Sequence, residues 1–411
     1  MRFIYNIGIY LTGLVLKFGA LFQNKLKKGV IGRKNTFNIL KNNLSTSDKT
    51  LWFHCASLGE YEQGLPVFTE LRKHYKNHKI ILSFFSPSGY EIRKNTPIAD
   101  VVVYLPLDTK ANAKQFLDYI NPELTIFVKY DIWPNFLNEL KYRKLRAILI
   151  SASFRKEQPY FKPYGKQLKK ALFAFEHIFT QNENSKKLLN SINYNSATVS
   201  GDTRFDRVYN QLDINNTLDF IETFKNNQLC IVAGSTWPED EALFINFINS
   251  EASKNIKFII APHDIKLDRI KKFQEKLNSK SVLFSNKKDK DLINTKVFIV
   301  DTIGILTKIY SYADIAYVGG AMGNTGLHNT LEPAVFGVPI IIGHQHKNFP
   351  EAQALINHGG MFSIPNQTKF NEVFKKLIID SDFRHKCGSK NKAFIKNNKG
   401  AVIQILDYLR I

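Results

Sequence analysis

The sequence predicts an α/β protein built from two doubly wound parallel sheets, and three observations carry this prediction. The chain has 411 residues, more than one ordinary core accommodates. Short apolar runs alternate with helical patterns along most of its length, which is typical of parallel sheets. Polar residues and glycines follow several of these runs, at the strand ends where such sheets bind their ligands.

The composition is that of a globular protein with anionic partners. Hydrophobic residues make up 44% of the chain and charged residues 23%. The net charge of +21 indicates nucleic acid, an acidic membrane face or phosphorylated substrates, unless it reflects a Lys- and Asn-rich background composition. The three cysteines, Cys55, Cys230 and Cys387, have no zinc or redox spacing, which predicts a reducing compartment.

The N-terminal segment, residues 1–35, is predicted to be a membrane-anchor helix with a basic flank. Residues 3–22 are almost wholly apolar, and lysines and arginines follow them. A span needs about 20 apolar residues, so the sequence leaves open whether this helix crosses the bilayer or lies in its surface. The basic flank is expected to stay on the cytoplasmic side, beside anionic lipid. The alternative is an apolar helix docked on the protein body.

The first domain is predicted over residues 36–212. Its strands are expected at 51–56, 79–85, 101–105, 124–128, 145–151 and 177–180, with helices between them. The polar side chains at or near the predicted strand ends are His54, Ser57, Glu60, Ser86, Ser88, Lys129 and Asp131. A polar, Asn-rich linker at 213–228 separates this domain from the second, at 229–411.

Three charged residues of the first domain are candidates for chemistry. Glu60 follows a strand and a glycine, so its carboxylate suits a general base, although a first-turn acid that matches the helix dipole is the alternative. Asp131 is a second acid near a strand end, or else part of a capped helix start. Arg204 is a cation suited to phosphate, or else the partner of Asp206 in a surface pair.

The second domain is organised around residues 319–351. Its strands are expected at 229–233, 258–261, 297–300, 313–318 and 338–342. Gly320 and its neighbouring glycines permit a sharp turn, and Asn329 is a plausible cap for a helix over 330–336. A helix N-terminus behind such a loop attracts phosphate, whereas Glu332 in its first turn suits hydrogen bonds from a ribose or a base. The alternative is an ordinary turn between a strand and a helix.

These motifs together resemble the 3-deoxy-D-manno-octulosonic acid (Kdo) transferases, a family of GT-B glycosyltransferases. His-x-x-Ser-x-Gly-Glu stands at 54–60, His-Asn-x-Leu-Glu at 328–332 and Lys-Asn-Phe at 347–349. The Ser-Pro-Ser-Gly turn at 86–89 and Trp-Pro-Asn at 133–135 are also similar to the family. The resemblance extends over nearly the whole chain.

The resemblance implies a fold and an activity. The fold is α/β, GT-B, with two Rossmann-like domains facing a cleft, an N-terminal membrane-anchor helix and a terminal helix that often crosses back to the first domain. The activity is transfer of Kdo from CMP-Kdo to a lipid A precursor, lipid IVA, in lipopolysaccharide core biosynthesis. In the family this transfer inverts the anomeric centre without a metal, so no metal is expected here.

The resemblance also assigns roles to residues. Glu60 is the proton acceptor, and Asp131, Lys129 and Arg204 are the further catalytic candidates. Lys129 departs from the family, which has an acid there, so this cation is expected to hold a phosphate or the donor carboxylate. The residues assigned to CMP-Kdo binding are Ser235, Thr236, Pro262, His263, Ile303, Gly304, Ile305, Gly320, Asn329, Thr330, Leu331, Glu332, Lys347 and Asn348.

The donor site departs from the family at two places. Pro-His-Asp at 262–264 replaces Pro-Arg-His, so His263, Lys266 or Arg269 would have to supply the contact or the missing charge. Ile305 replaces a glutamate. Two rival functions stay open: another GT-B nucleotide-sugar transferase or epimerase, and an inactive basic membrane-binding scaffold. No RNA-binding aromatic motif is present, so nucleic acid is not an expected partner, and no cofactor beyond the donor substrate is expected.

Overall fold

The computed structural model describes residues 2–250 and 255–411. They form two compact units. Unit 1 comprises the chain up to Arg207 together with Lys399–Ile411, and unit 2 comprises Val208–Asn398. Each unit is a parallel sheet covered by helices, as the alternation of apolar runs and helical patterns predicts.

The strands are β1 (Thr50–Cys55), β2 (Lys79–Phe84), β3 (Val101–Tyr104), β4 (Leu124–Val128), β5 (Arg146–Ala152), β6 (His177–Thr180), β7 (Ala197–Val199), β8 (Leu229–Thr236), β9 (Ile256–Pro262), β10 (Ser281–Leu283), β11 (Val297–Ile299), β12 (Ile315–Val318), β13 (Ile340–Gly343) and β14 (Met361–Ile364). The helices are α1 (Arg2–Gly19), α2 (Asn24–Asn43), α3 (Leu58–His74), α4 (Pro87–Arg93), α5 (Lys110–Ile120), α6 (Pro134–Tyr142), α7 (Lys166–Leu172), α8 (Glu183–Asn190), α9 (Thr203–Tyr209), α10 (Asp219–Lys225), α11 (Pro238–Ser250), α12 (Leu267–Glu275), α13 (Leu306–Ile309), α14 (Leu331–Val335), α15 (Pro350–His358), α16 (Gln367–Ile379), α17 (Ser381–Asn398) and α18 (Ala401–Leu409). Single turns of 3-10 helix lie at Pro159–Phe161, Pro163–Gly165, Asn210–Asp213, Phe284–Asn286 and Tyr310–Tyr312.

The sheet of unit 1 has the strand order β3-β2-β1-β4-β5-β6-β7, with every pair parallel. Phe53 of β1 lies between Leu82 of β2 and Ile126 of β4, and all three side chains are fully buried. Both faces are covered by helices, which is why the central strands are continuous apolar runs. The strand order reverses between β1 and β4, and this reversal is where doubly wound sheets bind ligands.

The sheet of unit 2 has the order β10-β11-β9-β8-β12-β13-β14 and is also parallel throughout. Ala233 of β8 lies between Ile260 of β9 and Tyr317 of β12, all fully buried. Its strand order reverses between β8 and β12. The two sheets therefore confirm the predicted pair of doubly wound domains and place one ligand-binding edge in each.

The N-terminal helices belong to unit 1. The hydroxyl of Tyr5 in α1 donates to Asp108 at 2.7 Å, and the side-chain amide of Asn135 donates to Asn6 at 2.9 Å. Helix α2 crosses the predicted domain start at residue 36 without a break, because Thr36 and Leu40 are buried in the unit. Within residues 2–250 and 255–411, no helix combines the length and the apolarity needed to cross a bilayer.

The C-terminal helix α18 completes unit 1. Its apolar side chains Val402, Ile405 and Leu409 join the core cluster that contains Phe53 and Phe68. The predicted second-domain range of 229–411 therefore differs at both ends from unit 2, which begins at Val208 and ends at Asn398. The terminal helix returns to the first unit, as it does in the fold that the sequence resembles, because its apolar face completes that core.

Candidate active site

Glu60 lies at the carboxyl end of β1, in the first turn of α3. Ser57 is the N-cap of that helix, and its side chain accepts a hydrogen bond from the Gly59 N–H. The Ser57 hydroxyl also donates to the Glu60 carboxylate. This arrangement is a capping interaction, and it fixes the carboxylate rather than leaving it mobile. The side chain of Glu60 is 12% exposed, so it is sheltered but reachable.

Lys129 stands beside Glu60, directly after β4. Its ammonium nitrogen lies 3.8 Å from the Glu60 carboxylate, and its side chain is 32% exposed. The residue has a φ of 71°, in the left-handed region that non-glycine residues seldom adopt. Strands β1 and β4 flank the reversal of strand order. The residues that follow them therefore include a carboxylate and an ammonium in contact. The cation that replaces the family's acid is paired with the predicted catalytic carboxylate.

Asp131 is held by two neighbours. His54 is fully buried, and its Nε2 lies 2.5 Å from the Asp131 carboxylate. The indole N–H of Trp133 donates to the same oxygen at 2.9 Å. Asp131 does not cap α6: that helix begins after Trp133, and its first amides donate to Asp108. The alternative expectation for Asp131, a capped helix start, is wrong because Asp108 does the capping.

Asp108 is a buried, hydrogen-bonded acid that the sequence analysis did not identify as a candidate. It is fully buried and accepts from the Asn135 N–H, the Phe136 N–H and the Tyr5 hydroxyl. Burial raises its pKa to about 6, although these three hydrogen bonds oppose the rise. Its contacts are structural, since it joins α1 to the start of α6.

Arg204 is paired with Asp202, not with Asp206. Its guanidinium lies 2.8–2.9 Å from the Asp202 carboxylate. Asp206 instead accepts from the N–H groups of Gly400 and Ala401, at 2.9 and 3.2 Å, and so caps α18. The expected surface pair between Arg204 and Asp206 is therefore wrong, because Asp206 is buried against the returning helix.

In unit 2 the glycine-rich loop after β12 is organised by a buried acid. The N–H of Gly320 donates to Asp240 at 3.0 Å, and so do the Trp237 N–H at 2.9 Å and the Tyr317 hydroxyl at 2.6 Å. Gly320 has a φ of 96°, and a Cβ there would lie 2.0 Å from the Gly326 carbonyl oxygen. Glycine is thus required at this turn by its own loop. Burial raises the pKa of Asp240.

Ser235 and Thr236 end β8 rather than capping the next helix. Thr236 is fully buried, and its hydroxyl donates to Glu241 at 3.1 Å. Ser235 is half-buried with a φ of 54°. The Thr236 hydroxyl is therefore engaged within the protein. Of the two residues, Ser235 is the one that remains a candidate for ligand contact.

His263 is exposed immediately after β9, where the family has its arginine. The two cations expected to compensate are both paired: Lys266 with Asp264 at 2.6 Å, and Arg269 with Glu241 at 2.8 Å. Pro262 ends the strand and is half-buried. The position that departs from the family is thus occupied by an imidazole.

Glu332 lies at the start of the short helix α14. One carboxylate oxygen accepts from the Asn329 amide at 3.0 Å, and the other from the Thr307 hydroxyl at 3.1 Å. Asn329 also accepts from the Leu331 N–H at 3.1 Å, although Thr330 is the N-cap residue by backbone conformation. The side chains of Thr330 and Leu331 are buried, so Asn329 and Glu332 are the accessible polar groups of this motif.

The remaining candidates lie on two loops of the same unit. Ile303 is 89% exposed, and Gly304, with a φ of 96°, has open space where a Cβ would lie. Ile305 is half-buried at the start of α13. Lys347 and Asn348 are exposed between β13 and α15.

Comparison with known proteins agrees with these features. Residues 31–207 match the family model described as 3-Deoxy-D-manno-octulosonic-acid transferase (kdotransferase). The chain is 26% identical over 374 residues to the 3-deoxy-D-manno-octulosonic acid transferase of Haemophilus influenzae, covering 88% of this chain and 86% of the relative. It is 27% identical over 349 residues to the enzyme of the same name from Aquifex aeolicus, covering 82% of this chain and 88% of the relative.

A solved structure supports the fold. The UDP-GlcNAc 2-epimerase from Neisseria meningitidis, bound to UDP-GlcNAc, superposes with a TM-score of 0.62 at 16% identity, covering 88% of this chain and all of that chain. At this identity the likeness shows the fold alone, and the two parallel-sheet α/β domains resemble those of GT-B glycosyltransferases. The matched model and the relatives, which align with most of this chain, together support a Kdo transferase.

Proposed function

We propose that this chain transfers Kdo from CMP-Kdo to a lipid A precursor, lipid IVA, with Glu60 as the general base. The observation that carries the proposal is the fixed carboxylate at the reversal of strand order in unit 1. Glu60 is 12% exposed and is held between the Ser57 hydroxyl and the Lys129 ammonium. A base must be positioned within hydrogen-bond reach of the proton that it accepts, and these two contacts hold the carboxylate at the end of β1.

The proposed step is a single displacement. The acceptor hydroxyl oxygen forms a bond to the anomeric carbon of Kdo as the bond from that carbon to the phosphate of CMP breaks. The hydroxyl proton passes to Glu60, and CMP leaves with the bonding electron pair. A displacement of this kind inverts the anomeric centre, and we propose that it needs no metal. The ammonium of Lys129 lies 3.8 Å from the Glu60 carboxylate, and we propose that it attracts the phosphate or the carboxylate of the donor.

The proposed donor site is in unit 2. The side-chain amide of Asn329 donates to the Glu332 carboxylate at 3.0 Å. The carboxylate can accept further hydrogen bonds, and we propose that ribose hydroxyls donate them. The exposed Gly304 offers a backbone N–H without a side chain in the way. These groups supply hydrogen bonds, whereas the proposed proton acceptor lies in unit 1, so binding and chemistry are divided between the units.

We propose that α1 attaches the protein to the cytoplasmic face of the inner membrane, in its surface. Tyr5 and Asn6 turn toward the body of unit 1, whereas the opposite face exposes large apolar side chains. Among these are Ile4, Leu11, Leu14, Val15 and Phe18, each at least 55% exposed. Exposed lysines at the start of α2, among them Lys25, Lys27 and Lys28, suit anionic lipid headgroups.

The membrane proposal is tested by flotation with vesicles of lipid IVA and phosphatidylglycerol. Replacing Leu11 and Leu14 by glutamate puts two charges on the exposed face without touching the contacts of Tyr5 and Asn6. We expect the wild type to float and the double variant to stay at the bottom of the gradient. Flotation of both would show that α1 is not the attachment.

The transfer itself is tested by mass analysis of a reaction of the full chain with CMP-Kdo and lipid IVA. The expected result is lipid IVA heavier by one or more Kdo residues, with release of CMP and no loss of activity in EDTA. An unchanged acceptor would contradict the proposal, and turnover of a UDP-sugar instead would identify an epimerase or another transferase.

A further inference from the structure

The segment 129–133 joins β4 to α6 in unit 1 and carries charged groups beside Glu60. Lys129 lies at its start, with its ammonium 3.8 Å from the Glu60 carboxylate. Asp131 lies in its middle, and its side chain is 17% exposed. Trp133 lies at its end, where the indole N–H donates to Asp131 at 2.9 Å. The positions of the two charged side chains therefore depend on how the segment is held at each end.

The segment begins with a strained residue, so it has to be held in place. Lys129 has a φ of 71°, a conformation that a non-glycine residue keeps only where its surroundings impose it. Its N–H donates to the carbonyl of Ile150 in β5 at 2.9 Å, and this contact fixes the first end of the segment. A residue in this conformation can relax when the chain beyond it moves, so the second end of the segment matters as well.

The second end of the segment is held by Asp108. This fully buried carboxylate accepts from the N–H groups of Asn135 and Phe136, both at 3.0 Å, in the first turn of α6. It also accepts from the hydroxyl of Tyr5 in α1 at 2.7 Å. The side-chain amide of Asn135 donates to Asn6, the next residue of α1, at 2.9 Å. Helix α1 therefore contacts the turn of helix that directly follows the segment.

The Tyr5 hydroxyl is suited to stabilising Asp108. Burial raises the pKa of this hydroxyl, and the charges of Asp108 and Asp131 raise it further, so the hydroxyl stays protonated and can donate. Its hydrogen bond is one of three that stabilise the buried charge of Asp108 from side-chain or backbone donors. Removing the hydroxyl leaves this carboxylate with less compensation for its burial, and its hold on α6 weakens.

We propose that Tyr5 and Asp108 are positioning residues for the transfer reaction, which hold Lys129 and Asp131 in place through the first turn of α6. This inference rests on the proposed function, because it takes the groups beside Glu60 to be the active site. Helix α1 then serves the reaction itself, besides the proposed attachment to the membrane. A displacement of about 1 Å far from the chemistry can cost about 10²-fold in rate, so loss of one contact in this series should be measurable.

The test removes a single hydroxyl. Tyr5→Phe deletes the donor to Asp108 and keeps the ring, so the variant should still float with vesicles. We expect its turnover with CMP-Kdo and lipid IVA to fall about tenfold, in vesicles and in detergent micelles alike, with CMP affinity within about twofold of wild type. Tyr10→Phe, at an exposed tyrosine of the same helix, is the matched control and should change neither quantity.

Two further measurements separate positioning from a general loss of stability. The chain has three tryptophans, so fluorinated tryptophan gives one fluorine NMR signal each for Trp52, Trp133 and Trp237. Tyr5→Phe should shift the Trp133 signal and leave the signals of Trp52, in the core of unit 1, and Trp237, in unit 2, unchanged. In a double-mutant cycle, Tyr5→Phe should reduce turnover less in an Asp131→Asn background than in wild type, because a group that it positions is already altered.

Three results would overturn the inference. The first is unchanged turnover in Tyr5→Phe. The second is a loss of turnover that is confined to vesicles or accompanied by loss of flotation, which would mean that Tyr5 acts through attachment of α1. The third is an unshifted Trp133 signal with turnover losses that add fully to those of Asp131→Asn. The signal needs no substrate, so a wild type that does not modify lipid IVA would contradict the proposed function, whereas an unshifted signal would contradict this inference.

Discussion

The two sheets have the same kind of ligand-binding edge but carry different chemistry there. In unit 1 the residues after β1 and β4 are ionisable and partly exposed: Glu60 at 12% and Lys129 at 32%. In unit 2 the corresponding loops expose an imidazole. The nearby acids Asp240 and Glu241 are buried and engaged with their own loop, and burial raises the pKa of both. One topology therefore presents a carboxylate beside an ammonium at one edge and an exposed imidazole at the other. Under the proposed function the first edge serves proton transfer and the second serves nucleotide binding, because the residues after the strands decide the role.

The units also differ in how their chains are closed. Unit 2 is a single continuous stretch, whereas unit 1 takes its last helix from the C-terminus. The Asp206 carboxylate caps that helix by accepting from the Gly400 and Ala401 N–H groups. The edge that carries Glu60 thus belongs to a unit whose core is completed by the helix α18. The comparison gives four expectations.

The largest effect is expected at Glu60. Glu60→Gln preserves the shape of the side chain and its contact with Ser57 but cannot accept a proton, so turnover should fall about 10²–10⁴-fold. Affinity for CMP should hardly change, because the proposed nucleotide site is in unit 2. Steady-state kinetics and calorimetry separate the two quantities.

The control for this exchange is Glu70→Gln, at an acid on the same helix that pairs with Lys73 on the surface. It should leave turnover unchanged. If folded Glu60→Gln enzyme turns over within a few-fold of wild type, the proton acceptor is another group, and Asp131 is the next to replace.

The second expectation concerns the stability of unit 2 in acid. Burial, together with the nearby His263, lowers the pKa of His328 from 6.5 to about 4. The folded state keeps His328 neutral, as acceptance from the Trp237 indole requires, while the unfolded chain takes up a proton below 6.5. The full contribution of neutral His328 to the free energy of unfolding is present above pH 6.5. As the pH falls from 6.5 to about 4, the free energy of unfolding should decrease by up to about 3 kcal/mol.

His328→Gln removes this titration and keeps an acceptor for the indole. Between pH 6.5 and about 4, the unfolding free energy of unit 2, followed by hydrogen exchange, should fall more in wild type than in His328→Gln. Parallel pH profiles for the two proteins would show that His328 titrates normally.

The third expectation is a binding effect at the second edge. Glu332→Ala removes a carboxylate proposed to accept from the ribose, and should weaken CMP binding by roughly 1–3 kcal/mol. Turnover at saturating donor should change less than it does in Glu60→Gln. Glu372→Ala, on the exposed side of α16, serves as the control. Unchanged calorimetric affinity of Glu332→Ala for CMP would place the nucleotide elsewhere.

The sequence predicts the central strands well because burial on both faces makes them continuous apolar runs. It missed β7, β10 and β14, which are edge strands of three or four residues. An edge strand such as β10 (Ser281–Leu283) is only partly buried, so its sequence has no long apolar run to mark it. A strand is therefore easier to predict from its sequence when more of its residues are buried in the sheet.

Site residues were also predicted when their signal is local in the sequence and missed when it is not. Glu60 and Glu332 were found because each lies within a few residues of a strand end and inside a recognisable motif. Asp240 was not found, because its three donors come from Trp237, Tyr317 and Gly320, up to 80 positions away along the chain. The contacts of the His263 ring with the rings of Trp237 and His328 were missed for the same reason. An aromatic residue directly after a strand, as Trp237 is after β8, is the local signal that could have indicated them.

The smallest effect is expected at Asp206, and it tests the closure of unit 1. Asp206→Ala removes the acceptor for the Gly400 and Ala401 amides at the start of α18. Loss of such a cap costs about 1 kcal/mol. The apolar contacts of Val402, Ile405 and Leu409 remain, so the helix should loosen without leaving the core.

Hydrogen exchange measured by mass spectrometry follows the two units separately in the same sample. Peptides from 399–411 should exchange faster in Asp206→Ala, those from the strands of unit 1 slightly faster, and those from unit 2 at the wild-type rate. Asp213→Ala, at a neighbouring acid in the 3-10 turn Asn210–Asp213, is the matched control and should change none of them. Faster exchange throughout unit 2 would mean that the cap at Asp206 stabilises both units, and the contrast between a continuous unit and one closed by the C-terminus would no longer hold.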